Sequence, residues 1–304
     1  MIKQLFWIFP LLSGAMFGSV GIFVRKLDVF GMDNYTILSS RVIVATILLF
    51  IGIFIVDKSL LKIRMKDLWI FIAAGILGML GLNFCYNESI NQLTLSFSAV
   101  LLSLSPLFVL MLATFLFKEK ITLLKIGSML LAIFGCVLAS GILDDTSHIK
   151  WSAVGIVVGL LSAFFYALYS IFSRIAMDRQ YNVFTITFYS LLMSSVILLP
   201  LTSWSKIEEF IVVAPVENSM FIILHSICTS VLPYILFTVA LRAIDTSKAS
   251  ILAAGGEPIA AMTFGVIFFS EVPTILSFGG IIITIVALTL FCKPNSKLPK
   301  PNVQ

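Results

Sequence analysis

Two stretches decide the fold: SFSAVLLSLSPLFVLMLATFLFKEKIT, residues Ser96 to Thr122, and KASILAAGGEPIAAMTFGVIFFSEVPT, residues Lys248 to Thr274. A shift of 152 residues superposes Pro106 on Pro258, Glu119 on Glu271, Thr122 on Thr274 and, just beyond, Gly127 on Gly279. These residue types shape helices and turns, so their joint agreement marks an internal repeat. A similar shift lays Ser13 and Arg25 near the start of the chain on Ser162 and Arg174.

The composition says what is repeated. Of 304 residues, 60% are hydrophobic and only 12% charged, with a mean hydropathy of +1.10. A soluble domain carries about 25% charged residues. An ordinary cytosolic enzyme, a disordered chain and a secreted disulfide scaffold are thereby excluded. Ten apolar segments remain, near 4–26, 34–56, 68–89, 96–117, 122–142, 151–175, 183–203, 218–242, 249–270 and 274–292. Each is long enough for a helix to cross hydrocarbon, and each is continuously apolar, unlike the alternating strands of a barrel. The fold class is therefore an all-α membrane protein with ten transmembrane helices. The stretch 204–217 reads as interfacial, and the lysine- and proline-rich tail 293–304 as a disordered cytoplasmic tail. Cys85, Cys136, Cys228 and Cys292 match no zinc or CxxC spacing and read as reduced, apolar side chains.

With the N-terminus placed in the cytoplasm, 15 of the 20 Lys and Arg residues fall inside, 4 outside, and Arg41 within a span. That asymmetry puts both termini in the cytoplasm. The net charge of +5 thus reports topology, and no nucleic-acid partner is expected. The repeat divides the chain into residues 1–145 and 146–292, five spans each. Five is odd, so the second copy enters the membrane from the opposite side. Inverted repeats are a transporter architecture, with the substrate site near the midplane between the halves.

At this point the chain resembles the EamA type of the drug/metabolite transporter superfamily. The resemblance rests on the SPLFVLMLATFLFKEKITLLKIGSMLLAIFG and EPIAAMTFGVIFFSEVPTILSFGG runs and on Arg41 in the second span, and it covers essentially the whole chain. It implies movement of a small organic metabolite, such as an amino acid or a related compound, across the plasma membrane, often outward. One departure is that the first half has Ser105 where the second has Glu257.

Several residues are candidates for the chemistry. Pro106 and Pro258 lie within spans, where proline removes a hydrogen bond, so each is a hinge or a fixed kink. Glu257 sits about 12 Å along its helix from the cytoplasmic end. Mirroring about the 245–248 turn brings Tyr234, which follows Pro233, to the same depth. An intramembrane carboxylate faces a cavity or a partner. Glu257 and Tyr234 therefore bind substrate or carry a coupling proton; otherwise Glu257 is a protonated acid bonded to backbone freed by Pro258. Arg41, about 10 Å below the outer surface, needs a partner, and Glu88 is the candidate for a structural ion pair. In the NFCYNES stretch Asn83, Tyr86 and Asn87 line a site wall or bond neighbouring helices, with Asn83 level with Ser105. Tyr166, Tyr169 and His225 are further candidates. Glu119 and Glu271 read as helix-start residues, and Gly14/Gly18 with Gly155/Gly159 as close-packing pairs.

No cofactor or metal is expected. A Walker motif is absent, so energy comes from an ion gradient or from exchange. A lipid-modifying intramembrane enzyme and a membrane scaffold are the competing readings. The enzyme lacks an HExxH motif or paired aspartates, and a scaffold does not require ten spans in an inverted repeat. The sequence leaves the substrate, the coupling ion and the oligomeric state open.

Overall fold

The same turn occurs twice, 149 residues apart. The first helix closes on Gly31 in the left-handed region (φ 90°), with Met32 N–H bonded to the Leu27 carbonyl; Gln180 (φ 68°) and the Tyr181 N–H to Ala176 carbonyl bond repeat that geometry. This is a Schellman-type stop, which satisfies carbonyls at a helix end. The residue two further on caps the next helix each time: Asp33 accepts from Tyr35 N–H and Asn182 from Phe184 N–H.

The computed structural model describes residues 8–117, 123–139, 152–243, 246–270 and 272–291. All regular structure among them is helical, and ten apolar helices follow in order. They are α1 (Ile8–Val29, interrupted at Ser19), α2 (Asn34–Val56), α3 (Met65–Gln92) and α4 (Leu95–Leu102 and Ser105–Phe117). Then come α5 (Leu123–Ala139), α6 (Ala153–Asp178) and α7 (Val183–Leu201). The last three are α8 (Pro215–Ser226, Ile227–Val231 and Leu232–Ala243), α9 (Thr246–Phe269) and α10 (Ile275–Phe291). Seven are long and apolar enough to cross a membrane, and shorter apolar stretches lie in α4, α5 and α10. The protein is a multi-pass membrane protein. The 204–217 stretch holds a short helix, Trp204–Val213, that buries Phe210 and exposes Trp204, Val212 and Val213. Glu119, Glu271, Cys292 and the tail lie outside the described residues; Cys85 and Cys228 are free thiols.

The helices exchange partners between the two halves. α1 packs along α9 and α8, and α2 along α8. In the mirror arrangement α6 packs along α3 and α4, and α7 along α3. One bundle therefore consists of α1, α2, α8 and α9 and the other of α6, α7, α3 and α4, with α5 and α10 packed on each other. Small residues allow the closest approach: a Cβ on Gly18 would fall 2.7 Å from the Glu257 carbonyl oxygen, and one on Gly14 would overlap the Ala253 carbonyl. Gly155 and Gly159 are likewise pressed against Leu93 and Leu101.

Irregular backbone is concentrated in the exchanged helices. α4 breaks at Ser103 and Leu104, and Pro106 lies in the first turn of its second stretch, where a missing N–H costs no helical bond. α9 instead runs unbroken through Pro258, so the two prolines do not produce matching breaks. The irregularities that do correspond are π-helical turns in the third span of each half, Ala73–Leu80 in α3 and Ile227–Val231 in α8. Such turns shift the helix face that follows, which here carries Asn83 and Tyr86 in α3 and Tyr234 in α8.

Candidate functional site

Glu257 stands in α9 with 5% of its surface exposed, and its Oε1 has no hydrogen-bond partner. Three phenols from three other helices surround it electrostatically: Tyr86 of α3, Tyr166 of α6 and Tyr234 of α8. Tyr86 and the Glu257 carboxyl act on each other. Neither Tyr86 Oη nor Tyr166 Oη makes a well-formed hydrogen bond, although both are buried. Aromatic contacts hold the phenols in place. The Phe17 ring of α1 meets Tyr234 edge-on at 5.0 Å and Tyr166 at 6.3 Å; Tyr169 meets Tyr234 at 5.1 Å. Ser13, one turn before Phe17, donates to the Pro233 carbonyl at 2.8 Å and ties α1 to the start of this stretch of α8.

Arg41 is fully buried, and its partners are not carboxylates. Nη2 donates to Asn83 Oδ1 at 2.6 Å and Nη1 to Thr229 Oγ1 at 3.0 Å. Asn83 passes the connection on: its Nδ2 donates to Tyr234 Oη at 2.8 Å and to the Met79 carbonyl at 2.7 Å. The expected ion pair with Glu88 is not formed. Glu88 accepts from Gln92 Nε2 at 2.6 Å instead. The reason is helical geometry: Glu88 lies five residues beyond Asn83, about 140° around α3, so it turns away from the face that meets Arg41. Arg41 Nε keeps no partner.

The structure thus brings together Glu257, Tyr234, Asn83, Tyr86, Tyr166 and Arg41. Asn87, one turn beyond Asn83, is fully buried with both amide atoms unpartnered. Ser105 is buried in α4, and the Asn83 amide bonds Arg41, Tyr234 and Met79. His225 stacks on Phe23 at 4.7 Å, with neither ring nitrogen hydrogen-bonded. Phe17 and Thr229 were not among the candidates. Thr229 lies in the π-helical turn of α8, which a continuous apolar run does not announce. Among the described residues no His, Cys, Asp or Glu group of three or more gathers to hold a metal.

The chemistry of this site follows from its buried ionisable groups. Arg41 and Glu257 are both buried and not paired with each other, and both act electrostatically on Tyr86 and Tyr234. An isolated buried charge is expensive and normally paired. The unpartnered Nε–H of Arg41 and the Asn87 amide present donors, and Glu257 Oε1 presents an acceptor. An anionic group fits the first end, and an ammonium group or a proton the second.

Comparison with known proteins agrees with this architecture. The EamA-like transporter family profile matches the chain twice, over residues 4–141 and 153–292. A protein of Bacillus subtilis (strain 168) named Uncharacterized transporter YxxF is 23% identical over 282 residues, covering 92% of this chain and 86% of its own length. The Pseudopaline exporter CntI of Pseudomonas aeruginosa (strain UCBPP-PA14) is 28% identical over 219 residues, 71% of this chain and 72% of its own. A solved crystal structure superposes with a TM-score of 0.68 at 11% identity, covering 94% of this chain and 96% of that one, and so shares the fold.

Proposed function

The chain belongs to the EamA-like transporter family, and from that premise we propose that it is a secondary transporter exporting a small dipolar metabolite, an amino acid or a related compound, across the plasma membrane. The observation that carries the reading is the buried Arg41 guanidinium and the buried Glu257 carboxyl, which are not paired with each other and act on the same two phenols, Tyr86 and Tyr234. A solute with a carboxylate and an ammonium group supplies the counter-charge each of them lacks. Export as the direction is supported by the name of the Pseudomonas relative, whose cargo is stated for that protein alone.

The bundles α1, α2, α8, α9 and α6, α7, α3, α4 meet around this site, and the hydrogen bonds from Arg41 to Asn83 and from Asn83 to Tyr234 cross between them. Rocking of one bundle on the other breaks and remakes those bonds and exposes the site to alternate sides. The α4 break beside Pro106 lies where such movement bends the helix, whereas α9 runs unbroken at Pro258. In this scheme Glu257 releases a proton when an ammonium group or the opposite membrane face is presented. The excess of basic residues on one side supports cytoplasmic termini.

The test is counterflow. Protein in sealed liposomes, loaded in turn with unlabelled proteinogenic amino acids, accumulates the matching labelled compound transiently, while the same protein in detergent consumes none of them. Turnover of a solute or lipid in detergent overturns the transporter reading in favour of an enzyme. Flux of methyl esters or N-acetyl derivatives as fast as the parent amino acids removes the dipolar substrate class and leaves the transporter.

A further inference from the structure

α2 and α7 belong to different bundles, yet they pack along each other. Their contact is polar at three levels. In the middle, Thr46 Oγ1 lies 2.8 Å from Ser195 Oγ, and both residues are buried. Two turns toward the start of α2, Thr202 Oγ1 donates to Ser39 Oγ at 2.5 Å, and beside it the Ser203 N–H donates to Thr36 Oγ1 at 3.0 Å. Past the end of α2, Thr185 Oγ1 donates to the Leu60 carbonyl at 2.7 Å and the Tyr189 hydroxyl to the Leu61 carbonyl at 2.7 Å.

These levels are related by the repeat. The 149-residue shift that lays the Gly31 turn on the Gln180 turn also lays Asn34 on Val183, where α2 and α7 begin, and neither helix is interrupted before Thr46 or Ser195. Thr46 and Ser195 are therefore the same position in the two copies, and their contact lies on the pseudo-two-fold axis between them. Thr36 and Thr185 are likewise one position, in the first turns of α2 and α7. Each grips the chain just past the end of the other helix, Ser203 after α7 and Leu60 after α2. The symmetry carries one clasp onto the other and the middle contact onto itself.

We propose that the Thr46–Ser195 contact is the fixed pivot of alternating access. The Thr36–Ser203 and Ser39–Thr202 bonds form one clasp, the Thr185–Leu60 and Tyr189–Leu61 bonds the other, and the two open in turn about the pivot. The inference rests on the transporter reading and adds the point about which the bundles turn. An inverted-repeat transporter changes its open side by rocking one unit on the other. When two copies of a repeat exchange conformations, a contact between equivalent positions returns to itself and keeps its length. Contacts that the symmetry carries onto each other exchange their lengths, so one opens as the other closes. The hydrogen bonds permit this. Thr202 also donates to the Leu198 carbonyl at 2.7 Å, one turn back in its own chain, so opening its clasp strands no hydroxyl donor. Leu60, Leu61 and Ser203 lie beyond helix ends and are partly exposed, so water replaces the lost partner of each. Both clasps are made in this structure, as an occluded state requires.

The experiment needs no substrate. Full-length protein with its four native cysteines replaced carries nitroxide labels at pairs of exposed positions, in liposomes of phosphatidylethanolamine and phosphatidylglycerol. Ile47→Cys with Val196→Cys reports on the pivot level, Tyr35→Cys with Ser205→Cys on one end and Phe184→Cys with Val56→Cys on the other. The 149-residue shift carries the two end pairs onto each other and the middle pair onto itself. Label distances are read by pulsed electron resonance in this background and with either clasp weakened, by Ser39→Ala with Thr202→Val or by Thr185→Val with Tyr189→Phe. The weakened end is expected to gain a component longer by about 5 Å, one helical turn. The opposite end stays short, and the middle pair keeps one narrow distance in all three proteins. A middle distance that lengthens with either end overturns the pivot. Ends that do not lengthen in either clasp variant, or that lengthen together, overturn the alternating clasps. Each of these outcomes leaves the counterflow result standing, so failure of the pivot is distinct from failure of the transporter reading.

Discussion

Asn83 and Tyr234 stand 151 residues apart, at nearly equivalent places in the two halves, and are joined by a hydrogen bond of 2.8 Å. Each follows a π-helical turn in the third span of its half. The two copies of the repeat therefore touch at their own corresponding positions, as residues near a two-fold axis do. Asn83 also accepts from Arg41, so the one fully buried cation described in the membrane region is bound to this contact.

Replacing Asn83 by Ala leaves an Arg41 Nη2 donor and the Tyr234 hydroxyl without their partner. A hydrogen bond to a charged group contributes about 1.5 to 3 kcal/mol, and an abandoned buried donor adds to the loss. Thermal unfolding in detergent should show Asn83→Ala as clearly destabilised. Asn83→Asp, which keeps the acceptor and adds a counter-charge, should lie closer to the unsubstituted protein; the reverse order would remove Asn83 from the Arg41 network.

Glu257→Gln keeps the size and hydrogen bonding of the side chain but cannot carry a proton. The expectation is a protein that inserts normally and loses most gradient-driven flux, with Glu257→Asp retaining part of it. Transport by Glu257→Gln at the unsubstituted rate, with the same dependence on external pH, assigns the carboxyl to structure.

Gly18→Ala forces a Cβ to 2.7 Å from the Glu257 carbonyl oxygen, where only backbone can move. Overpacking of this kind costs about 1 to 3 kcal/mol. Gly52→Ala in α2 meets nothing within 4 Å and should be neutral or slightly stabilising. Equal melting temperatures for the two variants would contradict the close α1–α9 contact.

Gln180 holds a positive φ of 68° that its counterpart Gly31 adopts without penalty. Gln180→Gly should raise stability by roughly 0.5 to 1 kcal/mol through relief of that strain, less the added freedom of the unfolded chain. A fall in melting temperature would show that the Gln180 side chain makes a compensating contribution.

Single cysteines in a background lacking the native four test the orientation. Lys62→Cys is expected to react with impermeant maleimide only after the cytoplasmic face is opened, and Lys206→Cys in intact cells. The opposite pattern inverts the topology.

Part of the site is legible in the sequence. The Glu257–Tyr234 match follows from helix rise on either side of a short turn, and the hydrophobic runs set the helices to within a few residues. The partner of Arg41 was not legible. Depth alone pointed to Glu88, whereas the actual partners depend on which face of α3 turns inward and on α8 arriving from the other half. Nothing in residue spacing encodes that exchange. The π-helical turns were equally hidden, because AAGILGML and ICTSV read as ordinary apolar helix. Pro258 predicted a break that α9 does not make; a neighbouring helix packed closely enough stabilises the backbone around one missing bond.

The exchanged packing of the α3–α4 and α8–α9 pairs also governs how the chain is assembled. The first five helices, synthesised alone, contain α1 and α2 without the α8 and α9 surfaces they pack on, and Arg41 without Thr229. Their counterparts arrive only after more than a hundred further residues have been inserted. The early half is therefore inserted before the α8 and α9 surfaces that α1 and α2 pack on exist. Cutting the chain in the connection before α6 should accordingly yield two fragments that mature only when made together.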